Sequence, residues 1–192
     1  MTISSVKTGA IGDSLLAGNA AYDPGAFVSI ATVTGSGQTT LTFSSIPSTY
    51  TSLQIRYAIK PATGTGEALR LQLNGDTGSN YSRHALAGNG STANASGGAS
   101  GTFTWGGDNA AGTQTSGYPY VGLIDIQDYA STTKNKTVRT FVGTDANGSG
   151  GVSLTSGVWL NTAAITSVTL FFPSGDSLAT GSLVSLYGIK GA

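Results

Sequence analysis

Apolar and polar residues alternate along most of the chain, and the alternation breaks at clusters of Gly, Asn, Ser and Pro. A period of two places successive side chains on opposite faces of a strand. The clearest run is SLQIRYAIK at 52–60. It puts Leu53, Ile55, Tyr57 and Ile59 on one face and Gln54, Arg56, Ala58 and Lys60 on the other. Pro61 ends it, because proline cannot donate to a ladder. The same pattern in EALRLQL, 67–73, aligns Leu69, Leu71 and Leu73. Strands are also predicted at 27–34, 39–43, 136–143, 152–160, 165–172 and 182–190, with extended pieces at 81–86 and 102–105. YVGLIDIQDY, 120–129, reads as a buried strand. GSGQ at 35–38 reads as the hairpin tip that pairs 27–34 with 39–43.

Between these runs, the low-complexity GNGSTANASGGASG, 88–101, reads as a long surface loop, and GGDNAAGTQTSG as another. The only helical candidate is GDSLLAGNAA at 12–21, weakened by two glycines. Roughly ten short strands with regular turn signals predict an all-β chain, a jelly-roll-like antiparallel β-sandwich. No repeat is present, which argues against a propeller or β-helix. Residues 1–25 have few strand formers and end at the turn signal YDPG. They read as an irregular N-terminal arm for attachment, and 26–192 as the sandwich domain. Tyr50, at the end of FSSIPSTY, is expected to cap the sandwich.

Composition narrows the function. Charged residues make up 9% of the chain, nine basic against nine acidic. A neutral chain lacks the basic stripe that nucleic acid requires and the charge that acidic lipid attracts. No apolar run reaches the length of a membrane span, so membrane insertion is not expected. There is no cysteine, which removes disulfides, thiolate nucleophiles and zinc–thiolate sites. The start lacks the apolar core of a signal peptide, so the chain reads as a complete product made in a cytoplasm.

Chemistry has few carriers. His84 is the only histidine and Glu67 the only glutamate. A Ser or Thr nucleophile would need His84 as base, and no GxSxG elbow is present. His84 reads as a surface or interface residue. The carboxylates Asp125 with Asp128, or Asp108 with Asp145, have no glycosidase-specific spacing. NGDTGSN offers oxygens from Asn74, Asp76, Ser79 and Asn80, but one carboxylate where calcium takes several. It reads as a hairpin turn, as does GTDANGSGG. No catalytic residue, metal or cofactor is expected. A softer candidate is a glycan-stacking group formed by Trp105, Asp108, Asn109, Tyr118 and Tyr120. Trp159, in an apolar strand, reads as core.

FVSIATVTGSGQTTLTFSSIPSTYTSLQIRYAIK, NGDTGSNY, WLNTAAITSVTL and SLYGIKGA together resemble segments of tailed-bacteriophage virion structural proteins of the cyanophage and marine-phage type. The opening VKTGAIGDSLLAGNAAYDPGA is similar to the N-terminus of that group. The resemblance implies a virion surface component, tail-fibre-like or capsid-decoration-like, often a homotrimer, assembled in the host bacterial cytoplasm. Its implied partners are other copies of itself and capsid or tail proteins, with a host surface glycan as the alternative. It implies no catalytic residue.

Overall fold

The structure, a computed structural model, describes residues 26–63, 68–107 and 118–191. The predicted arm, the helical candidate, Glu67, Asp108 and Asn109 lie outside them. The described residues form twelve strands and no helix: β1 Phe27–Thr34, β2 Thr40–Phe43, β3 Ser52–Ile59, β4 Leu69–Leu73, β5 Tyr81–Gly88, β6 Ala93–Gly101, β7 Thr104–Gly107, β8 Tyr120–Gln127, β9 Lys136–Asp145, β10 Gly150–Trp159, β11 Val168–Phe171 and β12 Leu183–Ile189. They build an all-β sandwich of two antiparallel sheets. The larger sheet has the order β1-β12-β3-β8-β9-β10-β5-β6, the smaller β2-β11-β4-β7.

The pairing is nested. β1 pairs β12, β2 pairs β11, β3 pairs β8 and β4 pairs β7. Two hairpins, β5–β6 and β9–β10, are inserted into this nest and pair with each other through β5 and β10. They double the larger sheet from four strands to eight.

The alternation of 52–60 is realised: Leu53, Ile55, Tyr57 and Ile59 are buried, and so are Leu69, Leu71 and Leu73 from the facing sheet. With Ile124, Ile126 and Leu170 they form one core between the layers. Tyr57 donates from its hydroxyl to the Gly106 carbonyl at 2.8 Å. Burial, and secondarily Tyr120, pushes its phenol far above the ordinary range. Gly122 lies directly against this ring, where a Cβ would overlap it.

Three sequence expectations are corrected. Residues 35–38 do not close a hairpin, because β1 and β2 belong to different sheets. The amides of Gly35 and Gly37 donate to Ser182 and Leu178, so this segment is a corner where the chain changes layer. Residues 88–101 are not a loop. Asn89 Oδ1 accepts from the amides of Ser91 and Thr92, Gly90 takes φ +89, and the chain returns as edge strand β6. The strand was hidden because Gly, Ala, Ser and Asn have poor strand propensity. Here they suit the edge, since a Cβ on Gly97 would come within 2.9 Å of His84. Finally, β8 is not buried on both faces, for Val121 is 60% exposed.

FSSIPSTY is held by a residue far along the chain. The fully buried Tyr129 donates from its hydroxyl to the Pro47 carbonyl and accepts from the Tyr50 amide. Tyr50 itself is half-buried, with its ring over Gly188.

Candidate functional site

The polar loop after β4 is a turn fixed by its own side chains. Asn74 and Gly75 take φ of 52 and 66, the positive pair of a type I′ turn, but the expected hairpin is not formed, because the turn leads from β4 of the smaller sheet to β5 of the larger. Asn74 ties the turn to the segment before β11: its amide donates to the Ala164 carbonyl at 2.8 Å, and its Oδ1 accepts from the Thr166 amide at 2.8 Å. Asp76 is saturated. It accepts from the Trp159 indole at 2.6 Å, the Asn80 amide group at 2.9 Å and the Gly78 amide at 2.8 Å. These donors, the indole first, hold its carboxyl below the usual carboxylate range. Tyr81 stacks on Trp159 with centroids 6.4 Å apart, and burial pushes its phenol up to about 12. No group of three or more metal-ligating His, Cys, Asp or Glu occurs among the described residues.

The Asp76 arrangement predicts an acid sensitivity. With a depressed folded pKa, the carboxylate contributes stability above its unfolded value of about 3.9 and loses it as pH falls through the folded value. Asp76→Asn should flatten the dependence of urea-unfolding free energy on pH below about pH 4. An unchanged slope would show that the carboxylate carries none of it.

Lys136 opens β9 with no exposed surface. Its ammonium donates to the carbonyls of Ser131, Lys134 and Thr162 at 2.7, 2.6 and 3.0 Å. Desolvation lowers its pKa, partly countered by Asp128. This residue knits the β8–β9 loop to the segment after β10, a role the sequence did not signal.

The glycan candidates do not all converge. Tyr120 points into the core and Tyr118 is exposed. Trp105 lies half-buried on the smaller sheet beside Arg83, whose guanidinium sits 4.3 Å from the ring centroid, and Arg70 at 5.2 Å. Of the carboxylates, Asp125 accepts from Gln54 at 2.8 Å, and Asp128 pairs with Lys134 at 2.7 Å. Asp145 accepts from the Gly148 amide in the β9–β10 turn.

His84 is exposed on the outer face of the larger sheet, in register with Ser156. Asp125 lies three strands from it, about 14 Å at ordinary strand spacing. A Ser–His–Asp relay is therefore not assembled there.

What this outer face does bring together is apolar. Leu123, Phe141, Leu154, Leu86 and Ala95 stand side by side across five neighbouring strands. The adjacent row runs from Leu183 through Ala58 and Val121 to Val152. A polar row, Asp125, Arg139, Ser156 and His84, borders the other side. The first row and the polar row line an open groove of about 850 Å³, and Leu183, Ala58 and Val121 line a second of about 420 Å³ that meets it at Leu123 and Phe141. The available signal was the phase of the apolar residues. In β9, Phe141 is out of phase with Val138 and Val142; in β10, Leu154 is out of phase with Trp159.

No protein-family model, no curated protein and no solved structure matches the chain.

Proposed function

We propose that this chain is a structural, non-enzymatic protein of a bacteriophage virion surface, a capsid decoration or short head or tail fibre, attached through residues 1–25. The observation that carries the reading is the outer face of the larger sheet. A contiguous apolar surface of this kind calls for contact with protein, whereas the polar groups around it are tied to the fold or spread along a sheet. The nested pairing of first strand with last supports the jelly-roll form of the sandwich. The phage-like segments add assembly partners: capsid or tail proteins, and further copies in a homotrimer. A receptor- or carbohydrate-binding module has less support, because Tyr120 is buried and Trp105 is flanked by arginine.

Particles of the encoding phage, purified on a gradient, should contain the chain in stoichiometric copy number by mass spectrometry. Deleting residues 1–25 should abolish its incorporation and leave its circular dichroism melt unchanged. Absence from purified particles would refute the reading, and binding on a glycan array that is lost in Trp105→Ala would favour the carbohydrate module.

A further inference from the structure

We infer that the outer face of the larger sheet is where a second copy of this chain docks. The inference rests on the reading of the chain as an assembly protein and names the partner on that surface.

Of the nine exposed large apolar side chains among the described residues, Phe27 stands on this face at its β1 edge over Arg56, and six fall in its apolar rows: Leu86, Val121, Phe141, Val152, Leu154 and Leu183. Each occupies an outward position in a ladder whose alternate residues are buried, so none is there to fill the core. At ~4.8 Å between strands and ~6.8 Å between same-face residues, the two apolar rows of five strands cover roughly 330 Å², and the four-strand polar row brings the face to roughly 460 Å². Monomers rarely leave more than a few hundred Å² of contiguous apolar surface in water, and a standard interface buries ~800 Å² per partner. The face thus supplies the apolar centre and over half the area of one side of a standard contact, the rest falling to the polar surface around it.

Its chemistry selects the occupant. The apolar rows are aliphatic apart from Phe141, and the other aromatics of this face, Tyr187 and Phe27, carry the Arg56 guanidinium at 5.4 and 4.9 Å from their ring centroids, which leaves no open platform for a sugar to stack on. The bordering row carries both signs, with Asp125 directly cross-strand from Arg139. A surface of one sign would match a partner of the opposite sign. A mixed row on a chain of nine basic and nine acidic residues matches another copy. Asp125 is held in place by Gln54, which also accepts from Arg56 at 2.7 Å, so the polar border is pre-ordered. With only 9% charged residues the chain has little else to keep such a face soluble, and the partner present from synthesis onward is the chain itself.

The test is sedimentation velocity of the full chain over a range of concentrations, with Leu154→Lys and Leu160→Lys. Both leucines are 55% exposed, but Leu160 lies past the end of β10 and outside the apolar rows. The unaltered chain and Leu160→Lys should associate, and Leu154→Lys should be a folded monomer whose cooperative melt no longer depends on protein concentration. A monomeric unaltered chain, or association retained in Leu154→Lys, overturns the inference. Should Leu154→Lys not fold, Leu154→Cys supplies the second readout. The chain has no cysteine, so this would be its sole thiol. Its reaction with a maleimide should slow as protein concentration rises; a rate independent of concentration refutes the docking face. A chain that associates this way but is missing from particles would leave this inference standing and remove the virion reading. A monomeric chain found on particles would do the reverse.

Discussion

Trp159→Ala should lower the unfolding free energy by about 4 kcal/mol, within the range for removing a buried indole. For a domain of this size, that is a fall of roughly 10 °C in melting temperature. Trp159 is almost fully buried at the end of β10, stacked on Tyr81, its cross-strand partner. Its loss opens a cavity and also removes the indole donor to Asp76. Trp159→Phe separates the two effects. It keeps most of the packing and deletes the N–H, so about 2 kcal/mol is expected, the worth of a hydrogen bond to a charged group. In an Asp76→Asn background the cost of Trp159→Phe should shrink, since the acceptor is no longer charged. Equal costs in both backgrounds would show that the indole acts through packing alone.

Lys136→Ala should cost about 3 kcal/mol, by thermal or urea unfolding, because each buried polar group left unpaired costs about 1–3. The ammonium serves three carbonyls from two separate segments, and no other donor to them is seen among the described residues. Water entering the vacated space would recover part of the loss. Lys136→Met fills that space with an apolar chain and keeps water out, so it should be no less damaging than alanine. If methionine restored stability, the stem and not the charge would be what matters, as happens where buried ions are replaced by well-packed apolar groups.

These two residues differ in how readable they were. Trp159 was legible as core because a large aromatic closes an apolar strand, although Val152, Leu154 and Val158 are all out of phase with it. Lys136 looks from the sequence like any surface lysine beside a polar loop. Its burial depends on three carbonyls supplied by segments that only the fold brings together. The same division runs through the rest. The strands of 52–60 and 67–73 were legible because apolar residues alternate with polar ones and the apolar set faces the core. The partner of β1 was not, because short-range turn signals suggested the next strand, whereas the ladder forms with one more than 140 residues away. β6 was invisible because its pairing uses backbone alone. The outer apolar face could have been read from residues out of phase in β9 and β10, but alternation is ordinarily read for one face at a time.

The nested pairing has a consequence for synthesis. β1 emerges from the ribosome among the first strands, yet its ladder partner β12 is the last strand described. The Lys190 amide donates to the Ala26 carbonyl at 3.0 Å, so the two ends of the sandwich meet at one corner. Such a nest cannot close progressively from the N-terminus. The hairpins β5–β6 and β9–β10 have local partners and need not wait, but β1 and β2 must remain unpaired until nearly the whole domain has been made. Their low-charge, hydroxyl-rich sequences spend that interval in water without a partner, which makes the nascent chain a second stage, besides the uncovered sheet face, that is open to aggregation.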